Sequence, residues 1–205
     1  MYKQVLNSAQ TTLLPLVKDF NKDFYLVGGT AIALQIGHRR SIDFDLFSNK
    51  ALAHRRIINK ITKKQLKPVV TRNVEEQLNL IISGVNFSFF HYPFAVNATL
   101  SFENLIQMPD LKDLAAMKAY ALGRRARWKD YVDLYYILSQ HFSISEISFR
   151  AQEIFGELYL EKQFRAQLAF FEEIDFTEEV EFLGDHPTDE QIKTRLTEYA
   201  VDFSR

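Results

Sequence analysis

The amino-acid sequence predicts an α+β fold, in which a mixed β-sheet flanked by helices is followed by a bundle of helices. Strand-like and helix-like patterns alternate over the first half of the 205 residues, whereas only helical periods continue after Pro109. The 7 glycines and 5 prolines are about half of what average composition would supply, which favours a helix-rich architecture. With 47% hydrophobic residues and 18 phenylalanines, the chain can bury a sizeable core, and intrinsic disorder is excluded.

The first half of the chain combines helix and strand patterns. Apolar residues at steps of three and four predict an amphipathic helix near the N-terminus despite Pro15. In chain order, the predicted elements are a helix at 2–20, a strand at 24–27, a turn at 28–29, a helix at 30–36, a strand at 41–47, a helix at 50–65 and strands at 67–71, 77–82 and 85–92. This order describes a mixed sheet with helices between some of its strands.

The second half is predicted to be helical. Apolar residues recur there at helical spacing, and Thr188 with Gln191 three residues later forms a capping-box signature. The predicted helices cover 110–122, 128–140, 145–155 and 157–172, and the last one begins at 188. We therefore predict a sheet-containing domain at 1–105 and a helical domain at 106–205, with a cleft between them.

Composition and charge exclude several classes of function. The chain has no cysteine, which excludes disulfides, cysteine-containing zinc sites, iron–sulfur clusters and thiol nucleophiles. Any metal must therefore be bound by oxygen or imidazole ligands. The 25 basic and 26 acidic residues give a net charge of -1, which argues against sequence-independent duplex binding. We expect no sequence-specific DNA binding either.

The apolar residues are too dispersed for a membrane segment. No apolar run approaches the length of about 18 residues that a spanning helix needs, and the N-terminal segment lacks the uninterrupted apolar core of a signal peptide. We expect a soluble cytoplasmic protein that does not contact a membrane.

The strand at 41–47 carries the most informative pattern in the chain. Its alternation places Ile42, Phe44 and Leu46 in the core and leaves Ser41, Asp43 and Asp45 on the other face. Side chains two residues apart on a strand lie about 6.6 Å apart, so two carboxylates can converge on a divalent ion. A solvated face of an edge strand would explain the same pair.

Two further groups of residues could bind phosphate. Gly28-Gly29-Thr30 opens a helix, whose free N–H groups suit an anion, although a turn and a cap would look the same. Lys129, Asp130 and Asp133 follow helical spacing and are expected on one face, where a surface ion pair is the alternative. The additional cations at Lys118 and Arg125 favour binding of a nucleoside triphosphate with magnesium.

Two motifs together resemble the AbiEii/AbiGii-type nucleotidyltransferases of the DNA polymerase beta superfamily. They are L-V-G-G-T-A-I-A-L-Q-I-G-H-R-R-S-I-D-F-D-L-F at 26–47 and M-K-x-x-A-L-x-x-R-x-x-x-K-D-x-x-D-L-Y at 117–135. The resemblance covers about 20–140 and implies a polymerase-beta-like core followed by helices. It also implies a toxin of a toxin–antitoxin or phage-defence system.

The resemblance implies a role for individual residues. Asp43 and Asp45 match the family's pair that binds Mg²⁺, and with Lys118 and Asp130 they are the expected catalytic residues. The expected nucleotide-binding residues are Gly28, Gly29 and Thr30 in the glycine motif, Arg39 and Ser41 in the H-R-x-S segment, Arg125 and Lys129 at basic positions, and Asp133 in the last acidic motif.

One position departs from the superfamily pattern. A third carboxylate usually follows on a later strand, and here Ser88 occupies the corresponding position. A serine can be neither the base nor an anionic ligand at neutral pH. Either another acid replaces it, with Asp130 the best candidate and Glu76 a weaker one, or the protein binds nucleotide without efficient transfer.

We therefore expect an enzyme that transfers a nucleoside monophosphate from a nucleoside triphosphate to a hydroxyl of RNA or protein. We also expect an antitoxin protein to neutralise this enzyme. Two alternatives stay open. One is a weak or inactive member that binds a nucleotide or a partner and regulates. The other is metal-dependent phosphodiester hydrolysis, which is disfavoured because no histidine has a ligand-like spacing beside Asp43.

Overall fold

The computed structural model describes residues 1–202. The chain divides into an N-terminal unit, Met1–Asp110, and a C-terminal unit, Leu111–Arg205. The helices of the N-terminal unit are α1 (Ser8–Lys18), α2 (Gly28–Ile36) and α3 (His54–Thr62). Its strands are β1 (Tyr25–Val27), β2 (Asp43–Ser48), β3 (Val69–Val74), β4 (Gln77–Ile82), β5 (Val85–His91), β6 (Leu100–Phe102) and β7 (Ile106–Met108).

A five-stranded sheet with the order β1-β2-β5-β4-β3 forms the centre of the N-terminal unit. β2 and β5 pair in parallel, whereas the other neighbours pair antiparallel, so the sheet is mixed. The predicted α+β class is therefore confirmed. β6 and β7 form a separate two-stranded sheet, which the sequence did not predict because three-residue strands are too short to show alternation.

One face of the five-stranded sheet forms the core. Phe44 and Leu46 on β2 alternate with polar residues and are fully buried, as are Phe87 and Phe89 on β5. Phe20, just after α1, packs edge-on against Phe89 with ring centroids 4.9 Å apart. β5 thus contributes phenylalanines to the core, and Asp43 and Asp45 of β2 lie on the opposite face.

Several elements differ from the predicted bounds near the N-terminus. The predicted helix at 2–20 is a 3-10 turn at Lys3–Val5 followed by α1, because Asn7 begins a new helix as its N-cap in a capping box with Gln10. α2 begins directly at Gly28, without the predicted turn. The placement of Ile42 in the core was wrong: Ile42 is 45% exposed, because β2 begins only at Asp43.

The C-terminal unit is helical as predicted. Its helices are α4 (Leu111–Leu122), α5 (Trp128–Gln140), α6 (Ile144–Phe155), α7 (Glu161–Leu168) and α8 (Asp189–Val201). α4 packs on α6 through stacked rings of Tyr120 and Phe155, 3.9 Å apart, and through a bond of 2.5 Å from Arg150 Nε to Asp113 Oδ1. The capping box of Thr188 and Gln191 is present at the start of α8.

The predicted helix at 157–172 is shorter in the structure. Gly156 ends α6 with a φ of 55°, a 3-10 turn follows, and the extended backbone at Tyr159 and Leu160 delays α7 until Glu161. Within residues 1–202, the helices all lack the length and apolar character needed to cross a membrane.

Candidate active site

The candidate site of the N-terminal unit is built where β1, α2 and β2 meet. The side chains of Asp43 and Asp45 lie on the same, non-core face of β2 and are partly exposed. Gly28 has a φ of 70° and starts α2 so close to β2 that a Cβ atom there would overlap the Asp45 carboxylate. A Cβ atom at Gly29 would similarly meet the Arg39 guanidinium. The two glycines therefore let a carboxylate and a buried arginine contact the start of α2.

Thr30 and Ser41 attach α2 to the start of β2. The Thr30 hydroxyl donates to the backbone carbonyl of Asp43, and its oxygen lies 2.7 Å from the Ser41 hydroxyl. Because the Thr30 proton is used in the first bond, Ser41 is the donor in the second. Both residues are buried. The structure thus brings these two predicted nucleotide-binding residues to the site as groups that position Asp43.

Arg39 is also internal to the N-terminal unit. It is 2% exposed, and its Nη1 donates to the carbonyl of Arg40 at 2.9 Å. A buried guanidinium beside Gly29 supplies fixed positive charge at the start of α2.

β5 supplies two neighbours of the carboxylates. Asn86 pairs in register with Asp43, and its Nδ2 donates to Asp43 Oδ1 at 2.9 Å. Ser88 pairs in register with Asp45. The sequence analysis identified Ser88 but missed Asn86, although Asn86 lies two residues before Ser88 and therefore on the same face of β5.

A second cluster of predicted residues lies in the C-terminal unit, on α4 and α5. Lys118 Nζ lies 2.7 Å from Asp130 Oδ1 and 3.0 Å from Asp133 Oδ2, and all three side chains are at most 5% exposed. Arg125 Nε contacts the other oxygen of Asp130 at 3.2 Å, with a side chain that is 49% exposed. Two cations thus face two carboxylates, and the cluster is neutral overall at pH 7.

The ion pairs keep this cluster charged in spite of its burial. Burial by itself would lower the pKa of Lys118, but the carboxylates of Asp130 and Asp133 raise it above its usual value. Burial opposes ionisation of Asp130, but Lys118 and Arg125 hold its pKa below the usual range. The Lys118 ammonium is therefore held in a fixed position by two ionised partners.

Lys129 lies outside this cluster, in contrast to the prediction. Its Nζ contacts Glu178 at 3.1 Å, and Arg127 reaches the same carboxylate at 3.4 Å. The segment around Glu178 is held on the start of α5 by backbone bonds: the Trp128 N–H donates to the Asp175 carbonyl at 3.0 Å. Glu178, in the acidic run at 172–181, therefore pairs with two cations.

Trp128 packs inside the C-terminal unit. Its ring lies 5.3 Å from that of Phe176 and 6.1 Å from that of Tyr131, and the residue is 4% exposed. Trp128 is therefore part of the packed interior of this unit.

Oxygen ligands for a metal are few in this site. Among residues 1–202 there is no group of three or more histidine, aspartate or glutamate side chains arranged to hold an ion. Asp43 and Asp45 form a two-carboxylate set on the non-core face of β2. Mg²⁺ commonly uses one or two carboxylates and takes its remaining ligands from water and substrate phosphates, so this set fits that ion.

One protein-family model matches most of the chain. The family model described as "Nucleotidyl transferase AbiEii toxin, Type IV TA system" matches residues 16–204. An uncharacterized protein of Aquifex aeolicus (strain VF5) is 35% identical over 123 residues, which are 58% of this chain and 59% of that protein. The chain thus spans less than two thirds of that relative.

Two solved structures share the fold. MenT4, a nucleotidyltransferase toxin from Mycobacterium tuberculosis H37Rv, superposes with a TM-score of 0.63 at 14% identity, over 94% of this chain and 82% of MenT4. JHP933 from Helicobacter pylori gives a TM-score of 0.56 at 12% identity, over 97% of this chain and 90% of that protein. At these identities the likeness concerns the fold, and it confirms the predicted architecture.

Proposed function

Since the chain belongs to the AbiEii family of nucleotidyl transferase toxins of type IV toxin–antitoxin systems, we propose that it transfers a nucleoside monophosphate from a nucleoside triphosphate to an acceptor hydroxyl. The observation that carries this proposal is the packing of the Asp45 carboxylate against Gly28, at the start of α2. In this proposal the carboxylates would hold a metal, and the backbone N–H groups beside them would bind a phosphate.

Asp43 and Asp45 are the residues that would hold Mg²⁺. When bound, Mg²⁺ supplies positive charge that neutralises the triphosphate and favours ionisation of the acceptor hydroxyl. Asn86 holds one oxygen of Asp43, and the Thr30 hydroxyl holds the Asp43 backbone. Both bonds fix the direction in which the carboxylate points.

The start of α2 is our proposed phosphate site. Its first N–H groups have no partner within the helix, and its dipole favours an anion. Gly28 and Gly29 make room for the Asp45 carboxylate and for the buried Arg39 guanidinium, which adds positive charge beside Gly29. Together these groups would orient the triphosphate for attack at its α-phosphorus.

In the proposed reaction the acceptor oxygen bonds to the α-phosphorus, the bond to the pyrophosphate oxygen breaks, and the hydroxyl proton passes to a carboxylate. In the C-terminal unit, Lys118 and Arg125 are the cations that we propose for stabilising charge on phosphate groups. Asp133 and Asp130 orient the Lys118 ammonium. The ion pairs with Lys118 and Arg125 hold the pKa of Asp130 below its usual range, so its proposed role is to orient these two cations.

The family supports a proposal for the biological setting. We propose that the acceptor is an RNA or a protein in the cytoplasm, that an antitoxin protein counteracts the activity, and that the system contributes to phage defence.

Isothermal titration with each nucleoside triphosphate, with and without Mg²⁺, tests the proposed site. We expect binding that requires Mg²⁺ and is lost in Asp43→Asn/Asp45→Asn. The matched control is Asp23→Asn, an exposed acid of the same unit, which retains binding. Incubation with labelled triphosphate and cellular RNA or protein then identifies the acceptor. If the folded wild type binds none of the triphosphates, the proposal is wrong.

A second function is favoured by Ser88, which lies in register with Asp45 where a third acid is usual. The protein would then bind nucleotide and regulate, with little transfer. Ser88→Asp distinguishes the two functions, because a restored acid should raise a feeble transfer rate sharply. Asn79→Asp, on the adjacent position of β4, is the matched control. An unchanged rate in Ser88→Asp would argue against a lost catalytic acid.

A further inference from the structure

The part of the chain that contains α3 carries charge of one sign. Between Asp45 and Glu75 the sequence has no acidic residue, whereas it has eight basic ones: Lys50, Arg55, Arg56, Lys60, Lys63, Lys64, Lys67 and Arg72. The net charge of -1 for the whole chain hides this run, because acidic residues elsewhere balance it. A local excess of cations attracts polyanions even when the total charge is close to zero.

Six of these cations form a basic surface on α3 and directly after it: Arg55, Arg56, Lys60, Lys63, Lys64 and Lys67. Lys60 is half-buried, and the other five are exposed. Lys64 pairs with Asp19 at 2.8 Å. Within residues 1–202, the side chains of the other exposed members form no ion pair and no hydrogen bond. Four cations of the basic surface are therefore available to a partner.

Helical spacing aligns part of the basic surface along one flank of α3. Arg56, Lys60 and Lys63 follow steps of four and three residues, and the Lys63 N–H still bonds to the Asn59 carbonyl. The core side of α3 carries Ile57 and Ile61, which are 4% and 0% exposed. α3 thus presents cations to solvent and buries these apolar side chains inside the N-terminal unit.

The basic surface is separate from the candidate active site. Lys60 Nζ lies 5.0 Å from the ring centroid of Phe20, which packs on Phe89 at the core face of the sheet. α3 therefore lies on the core side of the five-stranded sheet, whereas Asp43 and Asp45 lie on the other side. Removal of charge from α3 should thus leave the candidate active site intact.

The chemistry of the basic surface fits a nucleic acid better than a protein or a lipid. Protein–protein interfaces have an apolar centre and few lysines, whereas four of the six members of this surface are lysines. Interfaces with nucleic acids are strongly positive, because lysine and arginine pair with the phosphates. A helix that binds a lipid surface needs an exposed apolar side, and Ile57 and Ile61 are buried.

We propose that the basic surface binds the phosphate backbone of an RNA. The choice of RNA rests on the proposed function, since the acceptor proposed there is an RNA or a protein, and a surface of this charge favours the RNA. Contacts to phosphates carry no sequence information. The basic surface therefore holds the RNA on the N-terminal unit without selecting its sequence.

Fluorescence anisotropy with a labelled RNA hairpin tests this surface. Arg56→Gln/Lys63→Gln removes two available cations and should weaken binding about tenfold at about 0.1 M salt. It should also lower the slope of log Kd against log salt concentration by about 1.5, because two fewer phosphates are neutralised. The matched control is Lys162→Gln/Arg195→Gln, which removes the same charge from exposed positions of α7 and α8.

The two double variants together decide whether the site is specific. All proteins should give the same circular dichroism, because the substituted residues are exposed. An affinity for the hairpin that falls equally in both double variants, or in neither, would overturn the proposal. A DNA hairpin of the same sequence that binds more tightly than the RNA would contradict the choice of RNA.

Titration with nucleoside triphosphate and Mg²⁺ separates this inference from the proposed function. Arg56→Gln/Lys63→Gln should bind the triphosphate as the wild type does, since α3 lies on the core side of the sheet. A wild type that binds triphosphate but no hairpin would overturn the basic surface and leave the proposed function in place. A wild type that binds the hairpin but no triphosphate would support the basic surface and contradict the proposed function.

Competition with polyglutamate tests the alternative of an acidic protein partner. Polyglutamate presents carboxylates instead of phosphates, so it should displace the hairpin only weakly at an equal concentration of charge. Displacement as strong as that by unlabelled hairpin would show that the basic surface binds acidic protein segments equally well, and the proposal would be wrong.

Discussion

The glycine that starts α2 links the backbone to the chemistry of the N-terminal unit. Gly28 has a φ of 70°, and any side chain there would occupy the space of the Asp45 carboxylate. Gly84, in the turn between β4 and β5, has a φ of 81° but open space around its Cα. Both positions require a positive φ. A methyl group would overlap the Asp45 carboxylate at Gly28 but would meet no other atom within 4 Å at Gly84.

We therefore expect Gly28→Ala to be more destabilising than Gly84→Ala. Positive φ costs alanine about 1 kcal/mol or more at either position. The overlap with Asp45 adds to this cost, so that Gly28→Ala should lose about 2–4 kcal/mol in total. Urea unfolding of both variants measures the difference. Equal losses would mean that the Asp45 side chain moves away without cost.

Lys118 is the residue on which the charged cluster of the C-terminal unit depends. Lys118→Met leaves Asp130 and Asp133 buried without their common partner, which should destabilise the protein by about 3–5 kcal/mol. Lys112→Met on the same helix, where the lysine is 37% exposed, should change stability by less than about 0.5 kcal/mol. Denaturant unfolding followed by circular dichroism compares them, and similar losses would contradict a buried structural cluster.

At the scale of elements, the segment at 175–178 lies on the start of α5 as an acidic strap. Backbone bonds hold Asp175 to the chain at 126–128, and Glu178 contacts both Lys129 and Arg127. The Glu178 carboxylate contacts both cations, and a phosphate group could contact them in the same way. The strap therefore competes with any other anion for binding to Lys129.

Glu178→Gln should increase the affinity for nucleoside triphosphate about two- to fivefold, because the strap then no longer neutralises the two cations. The neighbouring Glu179→Gln, an exposed acid, is the control and should leave the affinity unchanged. Isothermal titration in the presence of Mg²⁺ is the measurement. An affinity unaffected by Glu178→Gln would show that Lys129 does not contact the triphosphate.

The elements that the sequence predicted well are those with strong local signals. Alternation gives the bounds of β4, helical spacing gives those of α5, and the Thr188 capping box gives the start of α8. The three-residue strands β6 and β7 and the extended break before α7 lack such signals, since their backbone follows from contacts with other segments.

At the scale of the whole molecule, the ionised cluster predicts how stability depends on pH. The pKa of Asp130 is lowered from 3.8 on folding, so its contribution is present above that value and is lost as the pH falls through the folded value. The pKa of Lys118 is raised from 10.5, so its contribution is present below that value and is lost as the pH rises through the folded value.

The free energy of unfolding of the wild type should therefore exceed that of Lys118→Met most between about pH 5 and pH 10. This difference in free energy of unfolding should become smaller in acid, where Asp130 takes up a proton. It should also become smaller in strong base, where Lys118 loses a proton. Urea unfolding across the pH range measures this gap, and a gap that is constant with pH would contradict the ion-pair explanation.

Local patterns in the sequence determined the class of fold, most of the elements and several residues of both clusters. Alternation and helical spacing are short-range, so Asp43, Asp45 and Lys118 could be selected before any contact was known. Only the tertiary structure decided which groups meet: Asn86 with Asp43, Gly28 with Asp45, and Lys129 with Glu178. These partners lie between 17 and 49 residues apart in the sequence, and the packing of strands and segments, which no local period encodes, brings them together.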